Sequence, residues 1–397
     1  MCFLGVGDNC DLAALYLDLA AHGHDVKVVI RNPVCRGILD GLVEKASDWR
    51  KALAWIAEAG DARVVIFEDV RHGHLQDRLR AKGFNVVGGS AFGDRLENDR
   101  SFARPEEAEV FLLMERIDGV EMGVGAYFDG EKFLGPACLD WEHKRFFPSD
   151  LGEPTGEMGT VVTYERSQYL FDRTLGLLEP LLRRNRHHGY VNLNTIVNGR
   201  GIWPLELTYR FGYPGFSVLT LLQQIPWSEL LTAMCRPSNV KLPCGCGFCA
   251  GVVLTVPPFP YEKSQVGAIT GLPVLIPDDI DEPERSRLHY YEIAKSGTDL
   301  VTAGAYGWAM VATGRGSDIA TAQKNANALA RRVLIPNIRY RRDIGERLIN
   351  GDFALVEAWG VLGLSRGVRR LQARKNEKVE FTRRAGVSRA REKQWTL

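Results

Sequence analysis

Hydrophobic positions in the first ninety residues switch repeatedly between two periods. Phe3-Leu4-Gly5-Val6-Gly7 is a short apolar run closed by glycine, and Leu12, Leu15, Leu19 and Ala20 then recur at the spacing of an amphipathic helix. Gly23 supplies a helix stop, and Val26, Val28, Val29 and Ile30 form the next extended run. The cycle repeats through a helix over 49–59, a strand at Val64-Val65-Ile66-Phe67, a helix over 75–81 and a strand over 86–89. Strands alternating with helices predict a parallel, doubly wound sheet. Gly5-Val6-Gly7-Asp8-Asn9 stands at a strand end before a helix, where such sheets bind phosphate. A lone Gly-x-Gly serves equally as a plain tight turn.

Beyond residue 104 the pattern shortens to period two. Leu112 to Glu121 reads as an apolar strand that breaks at a turn and places a second acid, and Val124 to Phe133 as a hairpin turning at Asp129-Gly130. Glu142-His143-Lys144-Arg145 is a charged cluster, followed by the glycine-rich Gly152-Glu153-Pro154-Thr155-Gly156-Glu157-Met158-Gly159. Two cations ahead of such a loop suit a phosphate, through charge and backbone N–H groups; a solvated loop is the plainer reading. Tyr190 to Val197 alternates as a strand, residues 198–201 turn, Ile202 to Leu207 returns, and Arg210 to Gly215 closes the hairpin. Glu206, in the same cleft as the Lys144 cluster, could ligate Mg²⁺, although a strand Glu is commonly solvent-exposed. Strands over 250–256 and 309–312 and a helix over 319–333 complete the reading.

The 397 residues suffice for two or three domains, and a net charge of +1 gives no general reason to expect nucleic acid or membrane as partner. No apolar run nears the roughly 20 residues that span a bilayer. Eight cysteines in so long a chain fit a reducing, cytoplasmic setting. Cys244, Cys246 and Cys249 fall within six residues, either as an unliganded turn or as three ligands of a zinc site lacking an obvious fourth. Residues 366–397 carry eleven Lys or Arg against three Glu: a solvated tail, or an electrostatic handle for nucleic acid or an acidic partner.

Leu205-Glu206-Leu207-Thr208-Tyr209-Arg210-Phe211-Gly212-Tyr213-Pro214 resembles the Leu-Glu-Phe-Asn-x-Arg-Phe-Gly-Asp-Pro signature of the glycinamide ribonucleotide synthetase (phosphoribosylamine–glycine ligase) family of ATP-grasp enzymes. Thr155-Gly156-Glu157-Met158-Gly159 is similar to that family's Thr-Gly-Gly-Met-Gly loop. Gly88-Gly89-Ser90-Ala91 is similar to its first-domain exit, and Tyr340 to Gly345 to its C-terminal signature. The matches keep the family's order over most of residues 1–350. The resemblance implies an α/β chain with a pre-ATP-grasp parallel domain (1–103), a reduced ATP-grasp α+β domain (104–235), a small C-terminal α+β domain (236–350) and the basic tail (351–397). It implies an ATP-dependent carboxylate–amine ligase of purine biosynthesis type, working through an acyl phosphate on small-molecule acid and amine substrates. Adenine would meet the backbone of Glu115 to Ile117, and Glu121 the ribose. Lys144 and Arg145, with Gly156 and Gly159, would sit near phosphate or substrate, Arg210 would hold an anionic group, and Glu206 and Thr208 would take Mg²⁺ or Mn²⁺.

Three departures accompany it. Asn98 to Ala108 is too short for the family's lysine strand and glycine-rich lid, a unit of roughly 20 residues or more. Thr208 replaces the Asn ligand, while Tyr213 and Gly215 replace an Asp and a Glu. Gly304-Ala305-Tyr306-Gly307 stands where the family has Gly-Gly-Arg, which weakens the case for a phosphoribosyl substrate. The alternative function is therefore a catalytically impaired relative that binds a nucleotide or a partner.

Overall fold

The computed structural model describes residues 1–98, 116–261 and 270–363. Glu115, most of the segment read as too short for a lid, and residues 364–397 of the basic tail lie outside the described residues.

Strands β1 (Cys2–Gly7), β2 (Asp25–Ile30), β3 (Glu44–Lys45), β4 (Arg63–Phe67) and β5 (Val86–Val87) form a parallel sheet in the order β3-β2-β1-β4-β5. Helices α1 (Ala13–Ala21), α2 (Trp49–Ala57) and α3 (Gly73–Ala81) alternate with the strands, and α4 (Ala91–Asn98) follows β5. The two-residue period sorts the strand side chains. Phe3, Val28, Val64 and Ile66 pack with Leu15 and Leu19 of α1, while Leu4, Val29, Val65 and Phe67 pack with Ala52 and Ile56 of α2 and Leu79 of α3. The sheet is doubly wound, as the alternation predicts. Its order reverses at β1, which opens a crevice beyond the carboxyl ends of β1 and β4.

The rest of the chain is built on an antiparallel framework. Its strands are β6 (Val120–Phe128), β7 (Phe133–Glu142), β8 (Arg145–Phe147), β9 (Leu151–Pro154), β10 (Gly159–Thr163), β11 (Gly189–Asn198), β12 (Gly201–Thr208), β13 (Phe248–Thr255), β14 (Leu288–Tyr290), β15 (Ile293–Ser296), β16 (Asp299–Thr302) and β17 (Trp308–Gly316). Eight of them make one sheet, β12-β11-β6-β7-β10-β13-β17-β14, while β8–β9 and β15–β16 are separate hairpins. The large sheet runs unbroken past residue 235, because β10 pairs with β13 over residues 159–162. One face is apolar: Met122, Val124, Leu139, Trp141, Val191 and Leu193 pack beneath Leu170, Leu175 and Leu182. The helix Ile319–Ala330, capped by Asp318 on the Thr321 amide, covers β13 and β17. It lies so close that a side chain on Gly314 would meet the Ala326 backbone nitrogen at 2.1 Å.

Candidate active site

The opposite face carries a polar group over β12, β11, β6 and β7, and strand register assembles it. Asn194 of β11 lies opposite Glu206 of β12 and Gly123 of β6, and Gly123 lies opposite Asp140 of β7. Cross-strand partners share a face, as do residues two apart. Glu121, Asp140, Glu142, Asn192, Asn194, Glu206 and Thr208 therefore come together from four strands. Gly123 and Gly125 leave the face hollow: a side chain on Gly123 would strike Asp140 Oδ1 at 2.2 Å, and one on Gly125 the Tyr190 hydroxyl at 1.8 Å.

Lys144, just past β7, closes this group. Its Nζ lies 3.2 Å from Glu121 Oε1, 3.1 Å from Glu142 Oε2 and 3.1 Å from Glu206 Oε1. The Thr155 amide and hydroxyl hold the Lys144 carbonyl at 2.7 and 2.8 Å, while Asn194 Nδ2 donates to Glu142 at 3.3 Å. Burial disfavours the ammonium charge, but Glu142, Glu121 and Glu206 outweigh it and hold Lys144 firmly protonated. One ammonium against three carboxylates leaves two surplus negative charges. Hard oxygen donors with that surplus fit Mg²⁺ or Mn²⁺, with Glu206, Glu142, Glu121 and the Thr208 hydroxyl as the residues that would hold it. Lys144→Ala should accordingly lower the melting temperature in EDTA and make it rise with added Mg²⁺, about 2.7 kcal/mol at a hundredfold excess over Kd. A melting curve indifferent to Mg²⁺ would contradict this arrangement.

The other residues singled out from the sequence fall differently. Arg145 turns away from Lys144, because successive residues of an extended chain point to opposite sides, and donates to the Gly152 carbonyl at 2.8 Å within the β8–β9 hairpin. Gly156 is exposed and faces Trp308, whereas Gly159 is the buried first residue of β10, where a side chain would meet the Gly251 carbonyl at 2.3 Å. Gly159 thus serves sheet packing and offers no open phosphate loop. Arg210 Nε donates to Glu97 at 3.2 Å, tying the end of β12 to α4. Ile117 is half-buried ahead of β6.

Asp140, Glu142, Glu157, Asn192 and Asn194 were missed as site residues by sequence reasoning. The available signal was polar positions two apart inside strands, in Cys138-x-Asp140-x-Glu142 and Asn192-x-Asn194. Asp140, Glu142, Glu157, Asn192, Thr208 and Tyr213 line a cavity of about 50 Å³. Burial first, and Glu142 next, raise the Asp140 carboxyl to about 7; burial likewise pushes Glu157 well above the usual carboxylate range.

The crevice of the parallel sheet is acidic. Glu68 is buried beyond β4, accepting from the Asp11 amide at 2.7 Å and the Tyr16 hydroxyl at 2.5 Å. The glycines of β1 make room for these groups: Gly5 lies against the Tyr16 ring and Gly7 against the Glu68 carboxylate. Burial and then Asp69 raise the Asp11 carboxyl to about 6, against the pull of Arg210. Across the site, Glu292 accepts from the amides of Ala305 (3.0 Å), Tyr306 (2.8 Å) and Gly307 (2.5 Å) in the turn that departs from Gly-Gly-Arg.

The C-terminal signature fastens the segment that carries Lys144. Arg341 is 1% exposed and binds Asp343 through two nitrogens (2.9 and 2.7 Å), Asp150 at 2.9 Å and the Arg145 carbonyl at 2.9 Å. The Gly345 amide lies 3.0 Å from Nε2 of buried His143, whose pKa burial lowers to about 4. The three clustered cysteines are free: Cys249 is buried in β13 and Cys246 exposed in the preceding turn. Among the described residues, Asp8, Asp69 and His72 also bring ligand atoms within 4.8 Å of one another. The His72 ring contacts Arg31 Nη1 at 2.6 Å.

No protein-family model matches the chain. It is 25% identical over 323 residues to a phosphoribosylamine–glycine ligase of Vibrio vulnificus, covering 76% of this chain and 70% of that one. The crystal structure of a phosphoribosylamine–glycine ligase from Thermotoga maritima superposes with a TM-score of 0.62 at 18% identity, over 87% of this chain and all of that one. The biotin carboxylase subunit of a pyruvate carboxylase superposes with a TM-score of 0.54 at 9% identity, over 92% and 99% of the two chains. No helix among the described residues is long and apolar enough to cross a membrane. The ordered motifs, the parallel domain joined to a long antiparallel sheet, and these likenesses agree: the chain is similar in sequence and in fold to the phosphoribosylamine–glycine ligases.

Proposed function

We propose that the protein is an ATP-dependent carboxylate–amine ligase of the purine-biosynthetic type, acting on small molecules in the cytoplasm. The observation that carries the reading is the convergence of Glu121, Glu142 and Glu206 on Lys144 across the open face of the ATP-grasp sheet. The γ-phosphoryl group of ATP passes to a substrate carboxylate, releasing ADP and leaving an acyl phosphate. An amine nitrogen then attacks the carbonyl carbon; the C–N bond forms, the C–O bond to phosphate breaks, and the amine proton leaves. A divalent cation held by the carboxylates would screen the phosphate charge. Lys144 fixes the carboxylates in place and supplies positive charge beside the transferred group, while Thr155 holds its backbone. Arg210, held on one side by Glu97, would meet an anionic substrate group.

A second reading, a nucleotide- or partner-binding relative without turnover, draws on Thr208, Tyr213 and Gly215 in place of the family's Asn, Asp and Glu. Release of ADP separates the two. Purified protein with MgATP, a panel of carboxylic acids and a panel of amines should form ADP only when an acid is present. No ADP from any combination overturns the ligase reading in favour of the second.

A further inference from the structure

Two buried acids of the site each carry an oxygen without a partner. Glu157 occupies the loop position where the resembling motif has glycine, and Asp140 stands over Gly123 on β7. They are 5% and 6% exposed, and neither Glu157 Oε1 nor Asp140 Oδ1 has a hydrogen-bond partner. Their other surroundings are unequal, since Asp140 Oδ2 accepts from Asn192 Nδ2 at 2.7 Å. Leaving a buried polar oxygen without a donor is destabilising, and more so when it is charged. Both acids line the same cavity of about 50 Å³, which has room for a group of a few heavy atoms.

The lining decides what that group is. A cation with several N–H donors satisfies both lone oxygens at once. The remaining wall joins the apolar Val162, Phe216 and Leu219 to the polar Glu142, Thr160, Asn192 and Thr208. An organic ammonium turns its N–H groups to the acids and its carbon to the apolar part of that wall. Tyr213, where the resembling signature has Asp, brings an aromatic ring to the same wall and stacks on Trp308 at 4.9 Å. The surroundings also reject a phosphate. The turn amides of Ala305, Tyr306 and Gly307 already serve Glu292, and Asp11 and Asp69 line the neighbouring crevice.

We infer that this cavity is the amine pocket of the ligase and receives a small, unphosphorylated primary ammonium group between Asp140 and Glu157. The assignment of the pocket to the amine rests on the ligase reading; the preference for an ammonium rests on the cavity alone. The test is calorimetric titration of the full chain, without ATP, with ethylammonium chloride, O-phosphoethanolamine and MgCl₂. Ethylammonium should bind, O-phosphoethanolamine at least tenfold more weakly, and Glu157→Gln or Asp140→Asn should each weaken ethylammonium at least tenfold. Both substitutions keep the side-chain shape, and a thermal melt of each verifies folding. Equal or tighter binding of O-phosphoethanolamine overturns the inference without recourse to any variant. So does ethylammonium binding that both variants leave unchanged, or its competitive displacement by Mg²⁺. ADP formation that is indifferent to Glu157→Gln sinks the amine pocket while the ligase stands. Ammonium binding as expected with no ADP from any acid sinks the ligase and with it the pocket's role in catalysis.

Discussion

Arg341→Ala should cost about 3–5 kcal/mol of folding stability, the range for removing one partner of a buried ion pair. The guanidinium is 1% exposed and serves two carboxylates and a backbone carbonyl. Without it, Asp343 and Asp150 face each other's charge with little solvent, and the Arg145 carbonyl loses its donor. Chemical denaturation at neutral pH measures the loss directly, and a change below about 1 kcal/mol, the scale of surface pairs, would contradict the buried clamp. The same clamp makes stability acid-sensitive. Burial alone would raise the Asp343 carboxyl, but Arg341 and the Ser149 amide hold it below its usual value. A depressed folded-state pKa contributes stability that is present above the unfolded value of about 3.9 and is lost as pH falls through the folded one. Arg341→Ala should flatten that acid limb. Because the Ser149 amide donates to Asp343 at 2.8 Å, loosening the clamp should also disturb the β8–β9 hairpin beside Lys144.

Glu206→Ala should reduce ADP formation by about a hundredfold or more, which corresponds to roughly 2.7 kcal/mol. The substitution removes one of three carboxylates around Lys144 and halves the surplus negative charge, from two to one. Weaker retention of a divalent cation follows, and with it weaker screening of the phosphates. Calorimetric titration of MgATP should show the affinity falling alongside turnover, while the fold survives because Glu206 is part-exposed at the end of a strand. Unchanged MgATP affinity and unchanged ADP formation would mean that nucleotide and metal lie away from this face. The comparison with Lys144→Ala is informative, since removing the cation and removing an anion change the cluster's charge in opposite directions. The first should make the melting temperature respond to Mg²⁺, and the second should blunt any such response.

Much of the fold was legible in the sequence because period is a local property. The switch between 3.6- and two-residue spacing in Phe3 to Val87 is the parallel α/β unit, and the alternation in Tyr190 to Leu207 is the β11–β12 hairpin. Ordered motifs carried the likeness to the ligases and pointed to Lys144 and Glu206, which meet at 3.1 Å. Tertiary structure decided which neighbours those residues have. Arg145 is adjacent to Lys144 in sequence and was grouped with it, yet an extended backbone sends it to the other side. Gly159 read as part of a loop, but pairing with Val252 puts it inside the sheet. Asp140 and Glu157 are 17 residues apart, and nothing local says that β7 and the loop before β10 will bring both to one cavity. The sequence by itself determined the alternation of the first domain, the β11–β12 hairpin and the likeness to the ligases. Register between strands distant in the chain determined the charge cluster, the buried clamp and the acid-lined cavity, because each depends on cross-strand distances that no single stretch of residues encodes.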